Sequence, residues 1–353
     1  MSHLEVTALG PGEYAEWDAF VGRSPDGCVY AQADYLATLA QATGASFRIL
    51  AARRPEGLVG GVGLYETHSR LHGRHAGPRL LLYYHGPIYG PYDGGYPSQR
   101  TARDLQIQGA LLESIRALRY DGVILKSRAS VTDVRGFLAA RWQATPSYSY
   151  VVSLADLKQQ WQRVEGNLRR LIKRCEGEGV TFTEDADFEA FFHLHGVTLA
   201  RRGVPTYLPE KAFRGFFERA RAAGLAGLQH ARLPNGTAIA SQLVLLGRHS
   251  VCHTVCAGMD PNYSRLGASA FLRWRGFEAL ATLGYRGNDL TDAALNSVTH
   301  FKSQLGGTLE TALVLHSPTS ARARAAAGLE RTARWPRAAA GRLLRALRLR
   351  RPA

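Results

Sequence analysis

Residues 225–246, LAGLQHARLPNGTAIASQLVLL, carry the clearest fold signal in the chain. Two largely apolar arms are separated by Pro234-Asn235-Gly236. An Asn-Gly pair between apolar runs is the strongest short-range hairpin signal, because both residues tolerate the positive φ angles of a tight turn. The segment therefore predicts two antiparallel strands, at 225–233 and 238–246.

The residues around this hairpin predict a sheet covered by helices. After it, apolar periodicity and glycine stops predict a strand at 250–257, a helix at 267–283, a strand at 286–291, a helix at 296–305 and a strand at 308–316. Before it, the patterns predict one helix from about 156 to 177, a strand at 180–183, and helices at 187–202 and 211–223. The class is therefore α/β.

The first half of the chain repeats this order of elements. Helices are predicted near 14–21, 34–42, 103–118 and 131–142, a hairpin from 47–52 to 58–66, and strands at 80–85, 122–127 and 148–154. We interpret the repeat as two domains, at 1–150 and 151–318, each a mixed, mainly antiparallel sheet flanked by helices. Residues 319–353 form a separate tail.

The basic character of the chain is concentrated in that tail. The formal charge is +15, and residues 319–353 contain ten arginines against one acidic residue, Glu330. Within 335–351 a leucine stripe faces a row of arginines, which is typical of a helix lying on an anionic membrane surface, although a disordered basic extension has the same composition. Because the charge is local, it argues only weakly for a nucleic-acid partner.

Several classes of protein are excluded by the sequence. No apolar run of membrane-spanning length occurs, and the N-terminus lacks the features of a signal peptide, which predicts a cytoplasmic protein with at most peripheral membrane contact. The pair Cys252 and Cys256 has a spacing that suggests a metal. In an extended strand, however, those cysteines share one face and His253 points away, so no metal is predicted.

Several short motifs, in this order and spacing, resemble one family. In the first half they are WDAFV at 17–21, QADYL at 32–36 and Gly86-Pro87; in the second half they are NLRRLIKR at 167–174, Gly267-Ala268-Ser269, Asp289-Leu290-Thr291, and Phe301-Lys302 followed by Gly306-Gly307. Together they resemble the GNAT acyltransferase fold in tandem, and more narrowly the FemAB-like peptidoglycan aminoacyltransferases and the BioF2-like acetyltransferase domains.

The resemblance implies transfer of an aminoacyl or acyl group to an amine, with aminoacyl-tRNA or acyl-coenzyme A as the donor. Arg265, Gly267, Ala268 and Ser269 occupy the place of the GNAT pyrophosphate turn, where a helix N-terminus offers N–H groups to phosphate. The first and last positions of that turn deviate from the GNAT pattern. The basic face of 163–174 would suit a tRNA or a lipid-linked diphosphate, and equally a solvated helix face.

The resemblance also implies where transfer takes place. We predict Lys302, with Phe301 beside it, at the transfer centre, where an ammonium would stabilise negative charge on the carbonyl oxygen. Asp289 and Asp292 are the candidate bases or amine-orienting groups, and Asp292 is equally suited to cap a helix or turn. For the acceptor groove, the expected residues are Gln32, Tyr35, Arg201, Tyr207 and Asp292.

The predicted function is therefore acyl transfer to an amine of a glycan or lipid-linked cell-envelope precursor. One alternative is an acyl-coenzyme A-dependent N-acyltransferase acting on a small molecule or a polysaccharide. A second alternative, from another class, is a non-catalytic adaptor that binds RNA or a membrane through its arginine-rich surfaces.

Overall fold

The computed structural model describes residues 3–70, 73–92 and 94–320. The predicted membrane-binding segment at 335–351 lies outside the described residues. The strands are β1 (Glu5–Ala8), β2 (Ser46–Arg54), β3 (Gly57–Ser69), β4 (Gly73–Ala76), β5 (Ile88–Tyr89), β6 (Gly122–Lys126), β7 (Gln143–Ser153), β8 (Thr181–Asp185), β9 (Ala226–Arg232), β10 (Ala238–Leu245), β11 (Val251–Met259), β12 (Gly287–Asp289) and β13 (Thr308–His316).

Helices flank these strands throughout the described part of the chain. They are α1 (Tyr14–Arg23), α2 (Ala33–Thr43), α3 (Pro97–Ala117), α4 (Arg135–Ala139), α5 (Leu157–Arg163), α6 (Gly166–Gly177), α7 (Phe188–Ala200), α8 (Glu210–Ala222), α9 (Ala268–Thr282) and α10 (Ser297–Gln304). Among the described residues, none of the helices combines the length and the apolar character needed to cross a membrane.

Within the described residues the strands form one continuous sheet in the order β1-β2-β3-β4-β6-β13-β7-β12-β11-β10-β9-β8, with β5 paired to β3. The last strand, β13, lies between β6 and β7, so the two halves of the chain share the centre of the sheet. Each half contains antiparallel strands followed by one parallel pair, β4 with β6 and β11 with β12. This topology confirms the mixed, mainly antiparallel α/β class.

The proposed division of the chain at residue 150 falls inside strand β7. That strand pairs with β12 and β13 along its length, so the backbone at this position is part of the shared sheet. One apolar core also contains residues of both halves, including Tyr35, Phe216 and Ala312. The two-domain division remains a prediction from the order of elements.

The predicted hairpin is present. Strands β9 and β10 pair antiparallel, and the turn is closed by hydrogen bonds from the Gly236 N–H to the Leu233 carbonyl, at 2.8 Å, and from the Leu233 N–H to the Thr237 carbonyl, at 2.9 Å. Gly236 has φ +87°, a left-handed conformation that glycine adopts without steric cost. The local signal was sufficient here because the turn chemistry lies entirely within the segment.

Three of the predicted elements are wrong in detail. Residues 80–85 form no strand, since Leu81 has φ +68° and directs its carbonyl to the Tyr35 hydroxyl. The single helix predicted at 156–177 is divided at Val164, whose extended backbone ends α5 before α6 begins. Helix α4 is also shorter than predicted, because β7 already begins at Gln143.

The two cysteines of β11 were predicted to lie on the same face of the sheet, and this prediction is also wrong. A bulge between Thr254 and Cys256 places those two residues opposite consecutive residues of β10, which changes the side-chain alternation. Cys252 therefore packs in the core cluster beneath α9, whereas Cys256 packs in the cluster that includes Tyr35. The two thiols lie on opposite faces of the sheet.

Candidate active site

One face of the central sheet carries a row of polar side chains. Strand register places Lys126 of β6, Glu310 of β13, Ser149 of β7, Asp289 of β12 and His253 of β11 on this face. Neighbouring strands are about 4.8 Å apart, so the row runs across five adjacent strands at the junction of the two halves. The polar row defines the candidate site.

Asp289 is at the centre of this row and is 1% exposed. Its Oδ1 accepts hydrogen bonds from the Ser149 hydroxyl and from the Thr291 N–H, the latter at 2.7 Å, and its Oδ2 accepts one from the Tyr84 hydroxyl at 2.8 Å. The His253 Nδ1 lies 3.7 Å from Oδ2. Three of its four lone-pair sites are occupied, so this buried carboxylate is arranged to orient its neighbours, and its role as a base remains a prediction.

His253 is buried against the same carboxylate as a neutral ring. Burial lowers the pKa of His253 to about 3, an effect that the negative charge of Asp289 opposes. Its ring packs 4.8 Å from the centroid of Tyr30 and 5.8 Å from that of Tyr84. The aromatic surroundings exclude water from Asp289 and strengthen its hydrogen bonds.

The two residues that follow the strand adopt an unusual backbone. Thr291 has φ +47° and Asp292 has φ +53°, so two consecutive non-glycine residues are left-handed. Such strain clusters at functional sites, where the surrounding contacts maintain it. Here the Asp289 carboxylate binds the Thr291 N–H, and the Tyr83 hydroxyl accepts from the Asp292 N–H. We call residues 291–292 the left-handed turn.

Lys302 of α10 closes this turn. Its ammonium donates to the Thr291 carbonyl and to the Asp292 carbonyl, the latter at 2.7 Å. Burial, and then the positive charge of Arg273, lower the pKa of Lys302 to about 8, against the opposing effects of Asp292 and Asp289. Two of its three N–H donors are used, which leaves one for a ligand. Phe301 packs beside it against the second-half core.

A second lysine, which the motif analysis did not select, faces the same site. The ammonium of Lys126 lies 3.3 Å from the Tyr83 ring centroid and 5.4 Å from that of Tyr84. Burial lowers the pKa of Lys126 to about 8, and the carboxylates of Asp292 and Asp289 oppose this effect. The available signal was the rarity of lysine, since only five occur in the chain.

Arg273 of α9 is a third cation near Lys302. Its Nη1 is inaccessible to solvent and has no hydrogen-bond partner among the residues that the structure describes. Burial lowers the pKa of Arg273 to about 10. Because the guanidinium also acts electrostatically on Lys302, the two cations face a common region.

The predicted donor turn lies at the start of α9. Gly267 is the N-cap with φ +90°, and a Cβ placed there would lie 2.6 Å from the Leu171 Cβ. Helix α9 begins at Ala268, so its first-turn N–H groups have no acceptor within the helix. The Ser269 hydroxyl faces the Met259 sulfur at 3.1 Å, and the Arg265 carbonyl accepts from Arg174. A phosphate-binding role for these residues remains a prediction.

Of the predicted acceptor residues, two are sealed in the core. Gln32 accepts from the Arg248 N–H at 3.1 Å, and Tyr35 donates to the Leu81 carbonyl. Both are fully buried, so neither presents a free polar atom to a cleft. The Gln32 contact joins the first half to the loop after β10, and the Tyr35 contact lies within the first half. Both fit a structural role, and acceptor binding by this pair remains a prediction.

The other three predicted acceptor residues lie near the surface. Arg201 is exposed at the end of α7, and Asp292 is exposed in the left-handed turn. Tyr207 packs edge-on against His195, and burial raises the pKa of Tyr207 to about 12. The charge of Asp292 also acts on Tyr207, so these two residues lie near each other. The structure thus brings Tyr207, Asp292, Asp289 and Lys302 together.

Residues 162–303 match the family model described as the acetyltransferase (GNAT) domain. Over this part of the chain, the match confirms the resemblance to GNAT-type acyltransferases predicted from the motifs. No curated protein matches the chain by sequence.

The fold over most of the chain is similar to that of solved structures. FemX has a TM-score of 0.70 at 12% identity, covering 88% of this chain and 96% of FemX. The C-terminal domain of a protein named as a lysylphosphatidylglycerol synthetase, from Agrobacterium fabrum, has a TM-score of 0.56 at 12% identity, covering 90% and 95%. L-PGS from Bacillus licheniformis has a TM-score of 0.55 at 12% identity, covering 86% and 91%. At these identities the similarity is one of fold.

Proposed function

We propose that the chain transfers an aminoacyl or acyl group to an amine of a cell-envelope or glycan precursor. The observation that carries this proposal is the left-handed turn held between the buried Asp289 carboxylate and the Lys302 ammonium, within the acetyltransferase domain. The fold shared with FemX, and the lysyl lipid in the name of the Agrobacterium fabrum neighbour, support an aminoacyl donor and an envelope acceptor.

The site can stabilise a transition state without a covalent intermediate. The remaining N–H of Lys302 would donate to the carbonyl oxygen of the acyl group as it becomes negatively charged. The amine of the acceptor would attack that carbonyl carbon, and the bond to the donor's leaving oxygen or sulfur would break. After the attack, the acceptor nitrogen carries a surplus proton. Because Asp289 is buried, this proton would pass to the exposed Asp292 carboxylate or to solvent.

Aminoacyl-tRNA is the favoured donor because of the surface beside α9. Helix α6 presents Arg170, Lys173 and Arg174 to solvent, and Arg174 donates to the Arg265 carbonyl just before α9 begins. A donor whose phosphates reached the start of α9 would therefore cross this basic face. Acyl-coenzyme A is the second candidate, favoured by the description of the matching domain as an acetyltransferase.

The two donors are separated by incubating the purified protein with charged tRNA and, separately, with acetyl-coenzyme A. Binding is followed by calorimetry, and transfer by a radiolabel on the donor's acyl group. Heat with charged tRNA alone supports the aminoacyl proposal, and heat with coenzyme A alone transfers support to the second candidate. No heat and no transfer with either donor contradicts both.

A further inference from the structure

The Lys126 ammonium is held by aromatic rings. It lies over the ring face of Tyr83, at 3.3 Å from the centroid, and near that of Tyr84. Throughout residues 3–70, 73–92 and 94–320, no oxygen atom accepts a hydrogen bond from this ammonium, and no carboxylate is within ion-pair distance of it. A cation–π contact attracts the charge but leaves its N–H donors unused.

This arrangement differs from that of Lys302, which donates to two backbone carbonyls. The segment that carries both tyrosines is fixed to the end of β6, because the His85 N–H donates to the Lys126 carbonyl at 3.0 Å. The Tyr83 hydroxyl in turn accepts from the Asp292 N–H in the left-handed turn. The first half of the chain therefore places a cation with free donors directly beside the transfer centre.

The charges around the site favour an anionic ligand. Five cationic side chains and three carboxylates act on one another there. The cations are Lys126, Arg128, Arg202, Arg273 and Lys302, and the carboxylates are Asp289, Asp292 and Glu310. The three donors to Asp289 are uncharged and leave its negative charge in place, so five positive charges face three negative ones and an excess of positive charge remains.

We propose that Lys126 is an anion-binding residue of the acceptor subsite, and that the acceptor carries a carboxylate or phosphate close to its reacting amine. Assigning this anion to the acceptor rests on the proposed function. The anion-binding site itself is defined by the contacts of Lys126. A half-buried ammonium with three unused donors binds one anionic oxygen group by charge-assisted hydrogen bonds.

The test measures acetylation of each lysine of the wild-type chain by a chemical acetylating reagent, using peptide mass spectrometry. Parallel samples contain sodium phosphate, sodium acetate or sodium chloride at equal ionic strength. The exposed residues Lys158 and Lys211, which lie outside the basic face of α6, are internal controls for screening by salt. No substitution is needed, so a folding defect cannot obscure the result, and no turnover is required.

We expect phosphate or acetate to slow acetylation of Lys126 at least about threefold relative to chloride, as occupancy at twice the dissociation constant requires, with the two controls unchanged. Protection by phosphate alone or by acetate alone assigns the anionic group. Equal rates at Lys126 in all three salts, protection spread over all the lysines, or protection of Lys302 without Lys126 would each overturn the inference. A failed donor assay with a protected Lys126 would reject the proposed function and leave the subsite standing.

Discussion

The Lys302 ammonium lies 2.7 Å from the Asp292 carbonyl oxygen, so a side chain of α10 fixes a backbone turn that follows β12. The contact stabilises both the turn and the position of the ammonium. It satisfies carbonyls that the left-handed backbone directs away from the sheet, and it holds the ammonium where only one donor remains free. The position of the cation is therefore set by backbone geometry, which is the preorganisation that electrostatic catalysis requires.

Replacing this cation tests its role in turnover. For Lys302→Ala we expect turnover to fall at least about tenfold, equivalent to roughly 1.4 kcal/mol of transition-state stabilisation. Lys158→Ala, at an exposed position of α5, is the matched control and should retain full activity. The measurement is kcat with the donor that binds in calorimetry, with circular dichroism as the check on folding. A folded Lys302→Ala enzyme with unchanged kcat would remove Lys302 from the transfer centre.

The lowered pKa of Lys302 also predicts how stability depends on pH. Its pKa falls from 10.5 to about 8 on folding, so between those values the unfolded chain binds more protons than the folded one. The free energy of unfolding contributed by this group therefore rises as pH increases from about 8 to 10.5. Lys126 adds a second contribution in the same direction.

Urea denaturation at several pH values across that window measures the effect. In Lys302→Met the rise in unfolding free energy with pH should be smaller than in the wild type, and the contribution of Lys126 should remain. Activity should move the opposite way, falling above pH 8 as the ammonium loses its proton. An identical pH slope in wild type and Lys302→Met would show that the folded-state pKa is not lowered.

Sequence was informative where the decisive chemistry is local. The Asn235-Gly236 turn, the start of α9 at Gly267 and the helix carrying Lys302 were each predictable from a few adjacent residues. The insertion of β13 between β6 and β7 was not, because it depends on pairing between residues far apart in the sequence, as between Lys126 and Val314 on one side and between Val151 and Thr308 on the other. Non-local pairing of this kind leaves no signature in a short window.

The candidate site was likewise predictable only where its residues belong to local motifs. Lys302 and Asp289 belong to motifs, whereas Lys126 ends an ordinary apolar strand and becomes distinctive only through Tyr83 and Tyr84, some forty residues earlier in the sequence. Gln32 and Tyr35 were selected because polar and aromatic residues in a motif indicate binding. They prove to be core residues, since both side chains are almost fully buried and each has a polar atom bonded to a backbone group.

The hydrogen bonds to Asp289 should contribute measurably to folding. Tyr84→Phe removes one donor from a buried carboxylate, and we expect the free energy of unfolding to fall by about 1–3 kcal/mol. Tyr92→Phe is the control, because its hydroxyl bonds to Gln99 at the surface, and it should change stability by less than about 0.5 kcal/mol. Equal urea midpoints for the two variants would mean that Asp289 needs no donor from Tyr84.

Substitutions at two glycines distinguish the cost of backbone strain from the cost of packing at the predicted donor turn. Gly267 and Gly284 have nearly the same φ, +90° and +91°, but only Gly267 faces a close neighbour, with Leu171 at 2.6 Å from an added Cβ. Gly284→Ala should cost about 1–2 kcal/mol from the left-handed backbone alone. Gly267→Ala should cost more, since Leu171 must also move. Equal losses in urea denaturation would contradict the packing at the start of α9.

Replacing Arg273 should raise the stability of the protein and lower its activity. Its buried Nη1 has no partner among the described residues, and an unsatisfied buried donor costs about 1–3 kcal/mol. Arg273→Met keeps the aliphatic volume and removes that cost, so we expect the free energy of unfolding to rise by about 1 kcal/mol. If the guanidinium is retained to bind the donor or the developing negative charge beside Lys302, turnover should fall in the same variant. Urea denaturation and kcat measured together decide this, and a variant that is both less stable and fully active would assign Arg273 to packing alone.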